Sequence, residues 1–422
     1  KKYYWRTYSG FTERHVEVSK KISIKGNQYR FYFFKRASLY SRREIKMDFS
    51  FNEDQIMMQD SAKNFFQKEC SAEFVREMYE DNVGYSEEMW NKMAELGWMG
   101  IMIPEEYGGL GLTFLDLALI MEEMGRFAVP IPFFSTVILG AEPIKLAGSN
   151  AMKEEILSKI AVGELRMSLA LMEEEGNFLP SGINLSAKTD GDGYILNGMK
   201  LFVPDAHAAD KIIVAARTGN NENDITLFLV DKSDTGLSVE LQHTMDGSRK
   251  LSAITLDNVR ISKENIIGEV NKGWPILDKV LNMANAALCL ETLGAAQKAL
   301  EMTVEYVKIR IQYEVPIGSF QSVKHRLADA MLQVESARSA AYYAAWAVSE
   351  DDKDMPLAVS LAKTYCVQAG KFATNEGVQL HGAIGYTWEH DMHLFFKRVR
   401  FAEAMFGGPI FHKEKIATLI GL

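Results

Sequence analysis

The stretch from residue 379 to residue 408 has residue types and spacings that suit the binding of a phosphate group. Gly382, Ala383 and Gly385 follow what reads as the end of a long amphipathic segment. Only small side chains let a ligand phosphate come this close to backbone N–H groups. Aromatic and basic residues follow, and a second small-residue turn lies at Gly407-Gly408. The pattern therefore predicts a phosphate-bearing ligand at the first of these turns.

The composition is that of an ordinary globular protein and argues against several classes of protein. The 422 residues are 47% apolar and 24% charged, which allows two or three domains with large cores. Cys70, Cys289 and Cys366 are far apart and form no CxxC pair, so neither a disulfide framework nor a zinc site is indicated. A reducing, cytoplasmic setting is the corresponding expectation. No run of about 18 apolar residues occurs, so no membrane span is predicted.

The net charge of −9 is unevenly distributed along the chain. Residues 1–46 contain 13 Lys or Arg and 3 Glu, whereas the remainder contains 34 Lys or Arg and 53 Asp or Glu. This acidic body argues against a nucleic-acid partner. We interpret residues 1–46 as upstream sequence that was translated, because purine-rich codons for Arg42-Arg43-Glu44 would resemble a ribosome-binding site before Met47. The alternative is a basic arm for a membrane surface or an acidic partner.

The periodicity of the apolar residues changes twice after Met47. Residues 47–162 read as helical, with Ser86 as a helix N-cap, a loop at 97–112 and a helix at 114–125. A period of two predicts strands at Met167–Leu171, Gly193–Val203, Lys211–Arg217, Ile225–Val230, Leu237–Gln242 and Leu251–Ile261. From Gly273 the helical period returns, with further helices at Gly294–Gln312, Ser322–Ser349 and Pro356–Leu380.

These segments together resemble the acyl-CoA dehydrogenase family over everything that follows Met47. The similarity is carried by PEEYGG at 104–109, by YVKIRIQYEVPIG at 306–318 and by the stretch at 379–408. It implies an α+β multidomain fold: an N-terminal helical domain (47–162), a central β-barrel-like domain (163–270) and a C-terminal four-helix bundle (271–422). It also implies FAD at a subunit interface, an acyl-CoA substrate and an electron-transfer flavoprotein as acceptor. Gly108 and Gly109 either contact a ligand or only permit a tight turn.

The resemblance assigns one set of residues to the FAD pyrophosphate and adenine end. Arg310 matches the family arginine, whose charge suits a diphosphate. The other matching positions are Tyr313, Ile317, Gln321, Gln379, Gly382 and Ala383. Two positions depart from the family: Glu314 and Ala383 each replace a glycine. Because these residues reach a neighbouring subunit's cofactor in the family, a dimer or tetramer with a like or related chain is expected.

The positions that would surround the flavin ring depart further from the family. Met172 begins MEEEGNFLPSG, where the family has a segment with hydroxyl donors. Phe202 can cover an aromatic ring system, or it is a plain core residue of a strand. Pro204 has neither a hydroxyl nor an N–H to donate. The run Glu173–Glu175 reads as a solvated turn.

The family's catalytic base is missing from both positions where it occurs. These positions are Phe406 and Ala284, and neither side chain accepts a proton. Glu291 lies on the same apolar face as Ala284, about 10 Å further along the helix. A carboxylate on an apolar face is expected to have a raised pKa, which suits a base. The displacement favours instead a buried structural carboxylate that is bonded to a neighbouring helix.

Three functions follow as hypotheses. The first is an FAD-dependent acyl-CoA dehydrogenase that desaturates an acyl-CoA by α-proton abstraction and hydride transfer to flavin. The second is a non-catalytic subunit that shares FAD with a related chain. The third is an enzyme of the same fold that eliminates a β-substituent from an acyl-CoA. His390 and His393 are interpreted as packing and dimer-contact residues, and no metal is expected.

Overall fold

A computed structural model gives the structure of residues 51–422. The interpretations of residues 1–46 and of a start at Met47 lie outside this range. The described chain contains an N-terminal helical domain, a central sheet domain and a C-terminal helical domain. The predicted fold class is therefore confirmed.

Helices make up the first domain. They are α1 Glu53–Glu69, α2 Ala72–Glu80, α3 Glu87–Glu95, α4 Phe114–Arg126, α5 Ala141–Ala147, α6 Asn150–Met152 and α7 Ser158–Ala161, with π-helical turns at Ser135–Gly140 and Lys153–Leu157. Ser86 caps α3 as predicted, because its side chain accepts a hydrogen bond from Met89 N. A Cβ on Gly109 would lie 2.0 Å from Ile103 O, and one on Gly108 would meet nothing within 4 Å. Gly109 packs against the backbone of Ile103, which a tight turn requires, and Gly108 has a positive φ of 80°; for Gly108 the turn and the ligand contact both stay predictions.

The central domain is one eight-stranded mixed sheet. Its strands are β1 Met167–Ala170, β2 Ser186–Asp190, β3 Gly193–Pro204, β4 Lys211–Arg217, β5 Ile225–Asp231, β6 Leu237–Gln242, β7 Leu251–Ser262 and β8 Ile266–Ile267. The order is β6-β7-β3-β2-β4-β5-β8, and β1 pairs in parallel with β4. All six predicted strands are present, whereas β2 and β8 were not predicted. β2 is not evident from the sequence because half of its residues are polar, and β8 is not evident because it has only two residues.

The third domain contains α8 Gly273–Ile309, α9 Gln321–Ser349, α10 Met355–His381, α11 Met392–Ala404 and α12 Pro409–Leu419, with a hairpin of β9 Ile311–Gln312 and β10 Val315–Pro316 between α8 and α9. The helix predicted to begin at Gly294 is wrong, because α8 continues through that residue. A Cβ on Gly294 would lie 1.8 Å from Glu122 O, and one on Gly125 would lie 1.9 Å from Glu291 O. The glycines allow the backbones of α4 and α8 to touch, which offsets the roughly 1 kcal/mol that glycine costs within a helix.

A buried guanidinium connects all three domains. The side chain of Arg398 on α11 is fully buried and donates to Asp246 (2.8 Å) and to Glu291 Oε1 on α8 (2.6 Å). It also donates to Ala128 O in the N-terminal domain (3.1 Å). Because the idealised cost of burying an isolated ion is large, the charges need one another to be stable. This network therefore fixes how the sheet and both helical domains meet.

A second arginine completes the network. Arg249, which follows the 243–248 loop of the sheet domain, is buried and pairs with the same Glu291 oxygen. Its Nε and Nη1 have no hydrogen-bond partner within residues 51–422, and its guanidinium lies 5.5 Å from the ring centre of Phe134. The cation–π contact compensates for part of the lost hydration.

Within residues 51–422, none of the helices combines the length and apolar character needed to cross a membrane. Cys70, Cys289 and Cys366 are free thiols, and all three are buried.

Removal of the buried Arg398 guanidinium should strongly destabilise the folded protein. We expect Arg398→Met to lower the free energy of unfolding by about 3–5 kcal/mol, because Asp246 and Glu291 lose a buried partner. Urea denaturation followed by circular dichroism measures the change. Arg260→Met is the control: its pair with Asp190, at 3.8 Å, is exposed and should contribute less than about 1 kcal/mol. Equal losses for the two variants would contradict the role given to Arg398.

A buried acid on α4 should make stability depend on pH. Burial raises the pKa of Glu123 to about 7, against the opposing charge of Arg126, and Glu123 Oε2 has no hydrogen-bond partner among the described residues. The folded pKa exceeds the unfolded value, so the stability that protonation gives is lost as the pH rises from about 4.5 to about 7.

We therefore expect Glu123→Gln to be more stable than the parent above pH 7, by about 1–3 kcal/mol, with the gain disappearing below about pH 4.5. Thermal denaturation between pH 4 and pH 8 measures the difference. Glu305→Gln, which changes an exposed carboxylate on α8, is the control. A gain that stays the same at every pH would refute the assignment.

Candidate functional site

The structure brings the two predicted phosphate-binding elements to one end of the helical bundle. Arg310 follows the last residue of α8, and Gly382 follows the last residue of α10. One turn before Arg310, the ring of Tyr306 stacks on His381 with 4.3 Å between ring centres. The Tyr306 hydroxyl donates to His381 O (3.4 Å). Arg310 and the 382–383 turn are therefore held in the same region by direct contact between their helices.

The turn after α10 leaves its backbone open. Gly382 has a φ of 67°, which favours glycine, and a Cβ placed there would meet nothing within 4 Å. Ala383 and Gln379 are exposed beside it, and Arg310 is exposed without an ion pair within residues 51–422. An anion can therefore reach both the turn and the guanidinium.

The hairpin after Arg310 is strained at its tip. Tyr313 and Glu314 both have positive φ, 52° and 65°. That conformation costs a residue with a Cβ roughly 1–2 kcal/mol, and Asn-Gly is the usual sequence for such a turn. The hairpin is closed by Ile317 N, which donates to Arg310 O (2.8 Å). The Tyr313 side chain at the tip of this hairpin is exposed.

This end of the chain exposes apolar surface. Tyr313 is 88% exposed, Ile309 75% and Tyr386 70%. Gln321, at the start of α9, is exposed, and Ile317 is partly buried. All the residues predicted to contact the pyrophosphate and adenine end thus lie at a surface that the rest of residues 51–422 leaves uncovered.

A cavity of about 310 Å³ lies between the sheet domain and α11. It is lined by Met172, Phe202, Thr244, Met245, Asp246, Leu251, Arg400, Phe401, Ala404 and Met405. Met172 and Phe202, the two residues predicted to contact the flavin ring, both line this cavity. Met405, which precedes Phe406, lines it as well. We refer to it as the ring cavity.

Phe202 is not a core residue of its strand. It is 40% exposed, has a φ of 52° and lies where the pairing of β3 with β7 is irregular. Its N–H donates to Gln242 Oε1 (2.7 Å), which holds the irregular backbone in place. The core-residue interpretation is therefore wrong, and the side chain lines the ring cavity.

The polar groups near the ring cavity are mostly occupied. Pro204 O accepts a hydrogen bond from Ser168, and the Thr244 hydroxyl donates to Asp246 O (3.1 Å). Among the described residues that line this cavity, Asp246 has the only carboxylate, and Arg398 binds it. The cavity accordingly offers an apolar wall and few free hydrogen-bond donors.

The interpretation of residues 173–175 as a solvated turn is wrong for Glu173. Its carboxylate accepts from Lys200 Nζ (2.7 Å) and from Leu185 N (2.9 Å). Lys200 is fully buried, and burial lowers its pKa to about 8. Glu173 therefore anchors the Met172 segment on β3, whereas Glu174 and Glu175 are exposed.

The two positions where the family has a base are both buried in apolar surroundings. Phe406 has a φ of 54°, and its ring lies 6.3 Å from that of Phe134 and 6.4 Å from that of Phe178, measured between centres. Ala284 is fully buried. Phe178 also contacts Phe411 (6.1 Å), so aromatic rings occupy the space around position 406.

Glu291 is fully buried and is bonded to Arg249 and Arg398. The raised pKa expected for it is wrong. Although burial alone would raise the pKa of this carboxyl, the two guanidinium groups hold it below its usual value. Glu291 lines neither the ring cavity nor the second cavity described below. The geometry favours its structural role, as the displacement along α8 indicated.

A second cavity, of about 420 Å³, was not anticipated from the sequence. It is lined by Phe178, Leu179, Pro180, Trp274, Asp278, Leu281, Asn282, Asn285, Phe406, Phe411, His412, Glu414, Lys415, Thr418 and Leu419. It lies between the 178–180 loop, α8 and α12, and Phe406 forms part of its wall. We refer to it as the α8–α12 cavity.

The two histidines of WEHDMH take part in packing. His393 stacks on Trp388 with 4.6 Å between ring centres, and burial lowers its pKa to about 4. His390 lies against His381 (4.4 Å) and accepts from Met392 N (3.1 Å). Among the described residues, no group of three or more His, Cys, Asp or Glu is placed to hold a metal ion.

Comparison with known proteins gives matches along almost the whole described chain. Three family models match: acyl-CoA dehydrogenase, N-terminal domain (residues 52–164); middle domain (168–259); and C-terminal domain (271–418). The chain is 30% identical over 366 residues to the probable acyl-CoA dehydrogenase YngJ of Bacillus subtilis (strain 168), covering 85% of this chain and 95% of that protein.

Two solved structures extend the comparison. Butyryl-CoA dehydrogenase from Megasphaera elsdenii has a TM-score of 0.83 at 28% identity, covering 89% of this chain and all of that one. The ChsE4-ChsE5 complex from Mycobacterium tuberculosis has a TM-score of 0.82 at 25% identity, with the same coverage. The second is an assembly of two different chains.

The strained hairpin gives a prediction. We expect Glu314→Gly to raise the free energy of unfolding by about 1 kcal/mol, because glycine adopts a positive φ without steric cost. Thermal denaturation measures the gain. Glu314→Ala removes the charge but keeps the Cβ, and it should give little or no gain. An equal gain in both variants would assign the effect to charge instead of backbone conformation.

Proposed function

The chain belongs to the acyl-CoA dehydrogenase family, and we propose that it acts as an FAD-sharing subunit of a hetero-oligomeric acyl-CoA dehydrogenase. It is an FAD-dependent oxidoreductase of acyl-CoA dehydrogenase type. In the proposed assembly a related chain supplies the carboxylate base, and this chain supplies part of the cofactor site. The acyl-CoA substrate and an electron-transfer flavoprotein as acceptor are part of the proposal.

FAD is the cofactor of this family, and when bound it supplies the hydride acceptor. The end of the bundle at Arg310 and Gly382 fits a diphosphate: the exposed Arg310 guanidinium has no ion pair among residues 51–422, and the Gly382 turn at the same end has open backbone. Charge-assisted hydrogen bonds of this kind are the stronger ones in proteins. The ring cavity, with Met172 and Phe202 on its wall, fits an apolar ring system but lacks free hydroxyl donors.

The replacement of the base by Phe406 is the observation that carries the proposal. General-base catalysis contributes roughly 10²–10⁴ in rate. The aromatic ring of Phe406 packs against Phe134 and Phe178, so within residues 51–422 aromatic rings surround the position at which the family has its base. Asp246 and Glu291, the acids of the buried network, are bonded to Arg398. A partner chain with a carboxylate at the matching position would supply the missing proton acceptor.

The exposure of the phosphate-binding end supports the shared arrangement. Arg310, Tyr313 and Gly382 lie at a partly apolar surface that is exposed within residues 51–422. Contact with a partner would bury that surface and bring these residues to the partner's cofactor. A structural relative, the ChsE4-ChsE5 complex, combines two different chains. The free, buried thiols also fit a reducing, cytoplasmic setting.

A second function has one observation in its favour. The ring cavity retains about 310 Å³ between Met172, Phe202 and Met405, so this chain could also hold a flavin ring of its own. Under this alternative the chain is an autonomous acyl-CoA dehydrogenase, or it eliminates a β-substituent from an acyl-CoA. In either case the α-proton is transferred slowly to solvent. The spectrum of the isolated chain separates the two functions.

The test is co-expression with a family chain that has Glu at the position of Phe406. We expect a colourless chain when it is made alone and a yellow complex that desaturates an acyl-CoA. In the complex, Arg310→Met should lower FAD retention about tenfold, since a hydrogen bond to a charged group contributes roughly 1.5–3 kcal/mol. Absorbance near the flavin maximum, measured against protein, gives the FAD content.

Arg326→Met is the matched control, because Arg326 is an exposed arginine at the start of α9 that pairs with Glu376 (2.9 Å). It should leave FAD retention unchanged. An isolated chain that purifies yellow and desaturates an acyl-CoA at an ordinary rate would overturn the shared-site proposal. In that case Glu291→Gln tests whether the buried carboxylate has any part in the activity.

A further inference from the structure

Two histidine rings lie in contact at the C-terminal end of α10, directly before the turn at Gly382. His381 is the last residue of α10, and its ring centre lies 4.4 Å from that of His390. The same ring stacks on Tyr306 of α8 at 4.3 Å. His381 is 4% exposed. A nearly buried, titratable ring is therefore the immediate neighbour of the predicted anion site.

The hydrogen bonds of the two rings assign their hydrogens. His381 Nδ1 lies 2.7 Å from Gly377 O, and a carbonyl oxygen can only accept, so Nδ1 carries a hydrogen. His381 Nε2 forms no hydrogen bond within residues 51–422 and is not one of the buried atoms that lack a partner there, so it is open to solvent. His390 Nδ1 accepts from Met392 N (3.1 Å), a bond that a proton on this atom would break. His381 is accordingly the ring that can be protonated without losing a hydrogen bond.

The surroundings of His381 favour its neutral form. Burial lowers the pKa of His381, its own hydrogen bond to the backbone opposes this, and the neighbouring His390 lowers the pKa further. Burial also lowers the pKa of His390, with Asp391 opposing the effect and Arg76 adding to it. From α8, Tyr306 donates its hydroxyl to His381 O (3.4 Å). In this environment His381 is neutral near pH 7.

A diphosphate at this turn would meet little positive charge from the residues around it. The C-terminal end of a helix carries a partial negative charge of about half an elementary charge, and Gly382 lies at that end of α10. Arg310 brings one positive charge, whereas Glu314, at the tip of the same hairpin, brings a negative one. A diphosphate that is esterified at both ends adds about two negative charges. The bound anion therefore favours one more cation at this place.

We propose that His381 takes up a proton when an anion binds at the Gly382 turn, and that it thereby acts as a second, pH-dependent cation of the diphosphate site. The identity of the anion, the diphosphate of FAD, rests on the proposed function. The availability of His381 rests on its free Nε2 and on its place beside the turn.

The direction of the pH dependence follows from linkage. A proton whose binding the anion favours must favour the binding of the anion by the same free energy. The pKa of His381 is then higher with the anion bound than without it. The additional affinity is present at low pH and is lost as the pH rises through the pKa of the bound state.

The experiment is a calorimetric titration of FAD into the flavin-free co-expressed complex, and into the isolated chain, between pH 6 and pH 8. FAD is a suitable probe because its diphosphate is esterified at both ends and, unlike a terminal phosphate, does not titrate in this range. We expect the parent to bind FAD about threefold to tenfold more tightly at pH 6 than at pH 8, since one pKa unit corresponds to a tenfold change. Titrations near pH 6.5 in two buffers of different ionisation enthalpy should show net proton uptake on binding.

Three variants locate the proton. His381→Phe keeps an aromatic ring for the contact with Tyr306 but takes up no proton, and its FAD affinity should depend little on pH. His390→Asn retains a side-chain acceptor for Met392 N and should keep the pH dependence of the parent. His207→Gln is the control, because His207 lies in the sheet domain after β3, and it should also keep that dependence. Thermal denaturation shows that each variant is folded.

Absence of net proton uptake by the parent would overturn the inference, and this measurement needs no variant. A pH dependence that persists in His381→Phe, or one that is lost only in His390→Asn, would overturn it as well, and so would a failure of FAD to bind at all. The proposed function fails by a different result, an isolated chain that is yellow and active. The same titration of that isolated chain would then still test His381.

Discussion

The architecture depends on the burial of Arg398 among Asp246, Glu291 and the backbone carbonyl of Ala128. An arginine without solvent is stable only where each partner is held in place, so the three domains are confined to one arrangement. The pairing of Arg249 with Glu291 adds a second cation to the same carboxylate. The contact of α4 with α8 through Gly125 and Gly294 brings the backbones close enough for this arrangement. Every cavity described above lies next to elements that this network positions.

Under the proposed function, this chain contributes one half of a flavin site and departs from the family in much of the other. The exposed end with Arg310 and Gly382 has the open backbone and the free charge that a diphosphate needs. At position 406, aromatic side chains take the place of a proton acceptor. These two facts are compatible in an assembly where each chain contributes what the other lacks. The α8–α12 cavity, with Phe406 in its wall, lies next to the position that has lost its base.

Much of the fold could be predicted from the sequence, because the periodicity of apolar residues reports burial directly. Six strands and the helical regions follow from it, and the resemblance supplied their order. Gly294 was misread because a glycine that breaks a helix and a glycine that lets a second helix approach look the same in one sequence. Glu291 was expected to have a raised pKa because its two arginines are remote in sequence, one in the sheet domain and one on α11.

The parts of the candidate site that lie close together in sequence could be predicted. The parts that are formed by residues distant in sequence could not. Gln379, Gly382 and Ala383 form a continuous motif, whereas the α8–α12 cavity is formed by a loop and two helices distant in sequence. No local pattern indicates that Asn285 and His412 lie on the same wall.

The unbroken length of α8 has a geometric consequence. Asn285 and Arg310 lie on or next to the same helix, about 38 Å apart along its axis at 1.5 Å per residue. The helix thus fixes the distance between the α8–α12 cavity and the exposed surface around Arg310. A single inserted residue between them would rotate one end by about 100° relative to the other and advance it by about 1.5 Å. The number of residues in this interval, and not only their identity, is therefore subject to functional constraint.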